Sequence, residues 1–344
     1  MKYFIKFWKS KNKLQQALLI GGFLILLSVC LAAVYTYYLI DKTKDMVSDS
    51  FEEIDRSENK SPLRKDNVDP VSHNVSILFI GVDTGEERDY GESSRSDALL
   101  FATFNSKDNT IKLLSIPRDT YTYIPDLGYN TKINHAHFFG GAKATINTVE
   151  DFLNVPVDYY VRLNFDAFIE VVDALNGINF EVPYEMYEMD SHDKVDAIHL
   201  LPGEQVLTGE EALAIARTRK YDNDVERGLR QQEIIKAIFE KATSVSSLFK
   251  LGSVLDAIGT NMSTNLSFSQ MTSFISYVTD EAVDIESIQL EGSGGYMEDG
   301  GWYYQVDEES KQQISQALRE HLNISWDSNY TNRYSNMDNY SPLY

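Results

Sequence analysis

Residues 75–82 read Val75-Ser76-Ile77-Leu78-Phe79-Ile80-Gly81-Val82, and Asp83 follows at once. A short, nearly continuous apolar run of this kind is expected of a strand buried at the centre of a sheet. Two similar runs follow, Ala98 to Phe104 and Thr110 to Ile116. The link between them, Asn105-Ser106-Lys107-Asp108-Asn109, has turn chemistry, so the second and third strands are expected to form a hairpin.

Helical signals come next. Ala142 to Asn154 carries Ile146, Val149, Phe152 and Leu153 on one side. Val157 to Leu163 reads as a strand. Asn164 is placed as an N-cap for a helix ending near Asn176, with Gly177 as its stop. Thr208-Gly209-Glu210-Glu211 is a capping box opening a helix that ends near Arg217. A long helix capped by Asp222 or Asp224 reaches about Thr243. Residues 247–258, 267–278 and 307–322 are further helical candidates, and Ile285 to Leu290 is a late strand. Strands mixed with helices predict an α/β (mixed α+β) domain over about residues 75–322, with a central mixed sheet flanked by helices. No internal repeat is visible.

The regions outside this domain differ in composition. Residues 1–16 form a basic segment with five lysines before Leu14 and no acid. From Ala17 to Ile40 no residue is charged. A helix of that length spans about 36 Å, against a bilayer core of about 30 Å. Residues 17–40 are therefore expected to be an uncleaved transmembrane anchor. They are longer than the apolar core of a cleaved signal peptide, and Val29 before Cys30 is larger than a lipid-modification site favours. The positive-inside rule puts the N-terminus in the cytoplasm and residues 41–344 outside. Residues 41–74, polar with Pro62 and Pro70, read as a stalk. Residues 323–344, with five Asn and four Tyr, read as a flexible tail.

The whole chain of 344 residues carries a formal charge of −21. The N-terminal 40 residues hold +5 of it, so the outer part carries −26. This balance argues against sequence-independent nucleic-acid binding. The single cysteine, Cys30, excludes intrachain disulfides and Cys-rich zinc sites, and an outer domain without disulfides suits a bacterial envelope.

Three neighbouring antiparallel strands would bring Asp83, Asp97 and Arg118 to one sheet edge, with Arg95 and Asp119 beside them. Taken singly, Asp83 and Asp97 could equally cap turns. A second cluster is Arg217, Arg219, Arg227, Arg230 and Gln231. Arg227 in the first turn of a helix opposes the dipole there, a placement better tolerated beside a bound anion. Internal pairing with Asp222, Asp224 and Glu226 is the competing explanation. In so acidic a domain the arginine island favours an anionic ligand, and two acids beside it suit a Mg²⁺–phosphate site. His135 and His137 form an H-x-H pair with no third zinc ligand at recognisable spacing, so packing or hydrogen bonding at the site edge is expected of them. No G-x-S-x-G, P-loop or H-E-x-x-H motif is present.

Several ordered motifs carry a resemblance. They are Ile80-Gly81-Val82-Asp83, Arg95-Ser96-Asp97, Ser115-Ile116-Pro117-Arg118-Asp119 and Lys132-Ile133-Asn134-His135-Ala136. Leu201-Pro202-Gly203, Arg217-Thr218-Arg219, and Asp224-Val225-Glu226-Arg227-Gly228 with Gln231 follow. Over about residues 75–243 the chain resembles the LytR-CpsA-Psr family of Gram-positive bacteria. The resemblance implies a transferase that moves a glycopolymer (wall teichoic acid, capsule or a related polysaccharide) from undecaprenyl diphosphate to peptidoglycan, leaving a phosphodiester. It implies that Asp83 and Asp97 hold Mg²⁺, and that Arg95, Arg118, Arg217, Arg219, Arg227 and Gln231 hold the diphosphate. Asp83, Asp97 or Asp119 would take the acceptor proton. An apolar tunnel would take the polyprenyl tail, with Phe138, Phe139, Phe165 and Phe168 as lining candidates or plain core. Competing readings are a non-enzymatic receptor for the lipid-linked polymer and a lipid-diphosphate hydrolase.

Overall fold

The computed structural model describes residues 37–38, 41, 50–56, 60–83, 94–218, 220, 224–243, 261–274 and 283–325. The chain divides into two units, Met1–Asp45 and Met46–Tyr344. Of the first, Tyr37, Tyr38 and Asp41 are described, all helical. Among the described residues no helix is long and apolar enough to cross a membrane. Residues 17–36 of the expected anchor, Arg219, segment 247–258 and residues 326–344 of the expected tail lie outside them.

The second unit is organised by a six-stranded mixed sheet. Its first strand, β1 (Val75–Val82), lies between β2 (Ser96–Asn105), antiparallel, and β6 (Tyr159–Asn164), parallel. Beyond β2 come β3 (Thr110–Ser115), antiparallel, and β12 (Asp284–Gln289), parallel to β3; β11 (Met262–Thr264) closes the other edge. The expected β2–β3 hairpin is present, with Asn105 opposite Thr110 and Asn109 at φ 51° in the turn.

Alternation along β1 sends Leu78, Ile80 and Val82 to one face and Val75 and Ile77 to the other. The first face is covered by α1 (His135–Leu153) and α6 (Glu308–His321) through Ile146, Val149, Ile314 and Leu318. The second meets α4 (Asp224–Thr243) through Ile235 and Phe239. Burying a Leu or Ile side chain fully contributes about 1.5–3 kcal/mol, so both coats are needed to hold a sheet apolar on each side. A third cluster joins α2 (Phe165–Ala174), α3 (Gly209–Arg217) and Ile234 of α4 with β7 (Ile178–Val182) and β10 (Gly203–Leu207).

The expected caps are in place. Asn164 accepts a hydrogen bond from the Ala167 amide, and Asn176 and Gly177 leave α2 with positive φ. Thr208 and Glu211 close a reciprocal capping box on α3. Segment 267–278 holds α5 (Phe268–Ser273), and its residues 275–278 lie outside the described residues. Other expectations need correction. Helix α1 begins seven residues earlier than expected, running through a break at Gly140 and Gly141. Strands β4 (Tyr121–Ile124) with β5 (Tyr129–Lys132), β8 (Met186–Glu188) with β9 (Ile198–Leu200), and β13 (Gly292–Tyr296) with β14 (Trp302–Val306) form small hairpins with no apolar run to announce them.

Of the expected stalk at residues 41–74, the described residues 50–56 and 60–74 lie on the domain, and residues 42–49 and 57–59 lie outside the described residues. Phe51 bridges to Thr264, Ile54 is buried in the first core cluster, and Arg56 pairs with Glu150 at 3.2 Å. Arg64 meets both oxygens of buried Asp158, at 2.9 and 2.6 Å. The acids that hold these arginines stand about 90 residues further along, which a local polarity pattern does not reveal.

Candidate functional site

Four strand ends meet at one edge of the sheet. Val82 pairs with Ser96 at the start of β2 and with Asn164 at the end of β6, and β3 ends at Ser115, opposite Leu100. The convergence expected of Asp83, Asp97 and Arg118 is therefore realised. One local feature was not anticipated. Gly81 pairs with Ala98 while Val82 pairs with Ser96, which leaves Asp97 as the extra residue of a β-bulge. Bulges re-aim a side chain, and this one presents Asp97 beside Asp83 at the strand end. A Cβ on Gly81 would stand 3.1 Å from the Ala98 Cβ, so glycine permits this close pairing.

A cavity of about 350 Å³ opens between this edge and the helices. Asp83, Asp97 and Arg118 line it from the sheet; Arg217, Arg227 and Gln231 line it from α3 and α4. Further along the strands and helices its wall is apolar: Phe79, Leu100, Leu163, Phe168 and Ile234. The two clusters separated by a hundred residues of sequence thus share one cavity, charged at the strand ends and oily behind.

Arg118 forms an ion pair with Asp97 and has its Nε 3.8 Å from Asp119. Asp119 is buried and bound by Lys132 at 3.0 Å; it stands behind Arg118 and does not line the cavity. Arg95, on the exposed approach to β2, does not line it either, and lies over the Phe138 ring at 5.9 Å. Arg217, in the last turn of α3, suits the helix dipole there. It stacks on Phe165 at 4.7 Å and reaches Asp193 at 4.0 Å.

The arginines of α4 divide their work. Arg227 lines the cavity while buried. Arg230 turns away and donates to the carbonyls of Ile215 at 3.2 Å and Thr218 at 2.9 Å, holding the end of α3. Gln231 donates to the Ala216 carbonyl at 3.1 Å and still lines the cavity. Sequence spacing puts all three near one face and does not separate ligand-facing from structural members. Asn164 and Phe79, which also line the cavity, were readable only as a cap and a core residue.

Of the four phenylalanines considered for a tunnel, Phe165 and Phe168 line the cavity. Phe138 and Phe139 neither line it nor belong to the core, being 37% and 56% exposed. The histidines of the H-x-H pair bond different partners. His137 donates from Nδ1 to the Ser94 carbonyl at 2.6 Å, pinning the residue before Arg95, and burial pushes its pKa down. His135 bonds Thr131 Oγ1 through Nδ1 at 2.9 Å.

Comparison with known proteins agrees with this architecture. An uncharacterized protein of Staphylococcus aureus is 41% identical over 309 residues, 88% of this chain and 76% of that one. The polyisoprenyl-teichoic acid–peptidoglycan teichoic acid transferase TagT of Bacillus subtilis is 35% identical over 319 residues, 92% of this chain and 98% of that protein. A solved structure of TagT with bound octaprenyl pyrophosphate lipid matches with a TM-score of 0.62 at 33% identity, over 79% of this chain and all of that one. The LytR_cpsA_psr family model matches residues 35–320. With Asp83, Asp97, Arg118, Arg217, Arg227 and Gln231 lining one cavity and the family model matching residues 35–320, the chain belongs to the LytR-CpsA-Psr family.

Proposed function

We propose that this protein is a membrane-anchored transferase that moves a glycopolymer of the wall teichoic acid class from undecaprenyl diphosphate to peptidoglycan. The observation that carries the reading is the single cavity in which two carboxylates, three arginines and a glutamine meet an apolar wall. A lipid diphosphate has the same two-part chemistry. The name of TagT, and the polyprenyl pyrophosphate lipid in its solved structure, support the same assignment. The cytoplasmic N-terminus, the anchor at residues 17–40 and an extracellular domain fit a carrier lipid confined to the same membrane.

Asp83 and Asp97 suit Mg²⁺. Among the described residues no group of three or more His, Cys, Asp or Glu gathers as a metal cage. A carboxylate pair suits a hard cation that takes its remaining oxygens from water and phosphate. Bound there, Mg²⁺ supplies charge neutralisation on the phosphate oxygens.

The residues of the chain then divide the remaining tasks. Arg118 holds phosphate oxygens from the sheet side while Asp97 and Asp119 fix its guanidinium. Arg217, Arg227 and Gln231 hold the lipid-side phosphate from the helices. Charged hydrogen bonds of this type contribute about 1.5–3 kcal/mol each. The apolar wall takes the first isoprene units and excludes water from the anhydride. An acceptor sugar hydroxyl attacks the phosphorus bearing the glycan, a phosphodiester forms, and lipid monophosphate leaves.

The test is transfer by Arg118→Ala and Asp97→Ala in the full chain, with Mg²⁺, a synthetic polyprenyl-diphosphate glycan and a peptidoglycan oligosaccharide. Both variants are expected to lose transfer while remaining folded. Transfer at the unsubstituted rate in both would remove the site assignment.

A further inference from the structure

The first turn of α1 stands next to Arg118. The Asn134 amide donates to the Arg118 carbonyl at 3.2 Å, and the Ile133 amide to the Thr120 carbonyl at 2.8 Å. This turn carries His135, Phe138 and Phe139. The two phenyl rings pack edge to face at 4.9 Å, and the His135 ring meets Phe139 edge-on at 6.3 Å. Gly140 and Gly141 then leave helical geometry, Gly141 with φ 60°. Two phenylalanines, 37% and 56% exposed, thus project from a strongly acidic chain beside its phosphate-binding edge.

In-line displacement decides what could meet them. The leaving lipid phosphate belongs with the apolar wall and with the arginines of α3 and α4. The attacking hydroxyl must approach the phosphorus from the opposite side. That side is the Arg118 edge, with α1 beyond it. The three carboxylates that could take the hydroxyl proton are otherwise engaged. Asp97 pairs with Arg118, Asp119 with Lys132, and Asp83 belongs to the proposed cation seat.

We propose that the first turn of α1 is the acceptor subsite, where the Phe138–Phe139 ledge carries the apolar face of a pyranose and His135 takes the proton of its attacking hydroxyl. This rests on the transferase reading above. The hydroxyl oxygen forms a bond to the glycan-bearing phosphorus. The anhydride P–O bond breaks, and its electron pair leaves on the lipid monophosphate. The hydroxyl proton goes to His135 Nε2 and then to water. His135 Nδ1 and Thr131 Oγ1 share a hydrogen bond at 2.9 Å that orients the ring; with Nδ1 as its donor, the tautomer this role requires, the Nε2 lone pair is available. Partial burial, then the nearby Arg95 and Lys132, lower the pKa of His135, and Asp119 opposes them. The imidazole is therefore neutral at pH 7, as a base must be.

The test uses the full chain in detergent micelles, a synthetic polyprenyl-diphosphate disaccharide and a peptidoglycan tetrasaccharide. His135→Gln is expected to lower the transfer rate by about 10²–10³-fold with donor binding unchanged. The acid limb of the pH profile, which lies below the ordinary histidine pKa, should vanish with it. Phe139→Ser should raise the KM for acceptor about tenfold or more and leave the KM for donor within about twofold. Four results would overturn the proposal: a His135→Gln rate within about threefold, an unchanged acid limb, a rise in donor KM instead, or a Phe139→Ser defect seen only in bilayers. The third would make the ledge a seat for the donor glycan, the fourth a membrane contact. Absence of transfer by the unsubstituted chain would remove the transferase reading itself; normal transfer with an intact His135→Gln removes the subsite alone.

Discussion

Arg118 stands between two acids, paired with Asp97 at the cavity and 3.8 Å from Asp119 behind it. Its guanidinium is thereby aimed before any ligand arrives. Preorganised charge of this kind acts most strongly on the transition state. Arg118→Ala is expected to lower kcat by about 10²–10³-fold, measured as product mass against time. Arg230→Ala should behave differently. It removes charged donors from two carbonyls at the end of α3, so a cost of about 2–3 kcal/mol in urea unfolding is expected. Part of this division was legible in the sequence. Asp83, Asp97 and Arg118 each abut an apolar run, so their meeting follows from strand order alone. The bulge that frees Asp97 depends on pairing register, which one strand does not encode. The separate duties of Arg227 and Arg230 depend on what lies across from α4.

Helix α3 is the element that brings Arg217 to the site, and its start is tightly packed. A Cβ on Gly209 would fall 2.3 Å from the Ile169 carbonyl oxygen and 2.7 Å from the Ile169 Cα. Backbone atoms of α2 cannot give way as a flexible side chain would. Gly209→Ala is expected to destabilise the protein by about 1–3 kcal/mol and to weaken donor binding as Arg217 shifts, read by calorimetry and lipid-diphosphate titration. The capping box at Thr208 and Glu211 made this helix readable in advance, because its signal is local. The β4–β5 and β13–β14 hairpins were not readable. Each has strands of four or five residues with mixed polarity, and they are supported by contacts distant in sequence: Thr120 bridges to Tyr304, Tyr121 packs on Tyr303, and Ile124 is buried against Ala136 and Ala144 of α1.

At the scale of the whole molecule the two ends of the domain are stitched together. Asn74 donates to the His321 carbonyl at 2.8 Å, while the His321 ring bonds Thr103 and Thr110 at 2.7 and 2.9 Å. Burial, then Lys112, pushes the His321 pKa down to about 4. Between that value and the ordinary histidine pKa the unfolded chain binds more protons, so stability falls as pH drops from about 6.5 toward 4. His321→Gln should flatten this slope, as followed by urea melts across that range. The segment before β1 belongs to the same assembly. Arg64→Ala would take the cation from the buried Asp158 carboxylate and leave Ser76 as its remaining donor, which is expected to cost about 3 kcal/mol. A protein begun at Val75 should therefore melt well below one begun at Ser50.

The most direct measurement is the mass of what the full chain makes from a polyprenyl-diphosphate glycan, Mg²⁺ and a peptidoglycan oligosaccharide. Joint occupancy of the cavity by headgroup and tail, with a sugar hydroxyl as nucleophile, predicts acceptor heavier by one glycan phosphate and an equal amount of polyprenyl monophosphate. Free glycan phosphate alone, with acceptor present and unmodified, would contradict it.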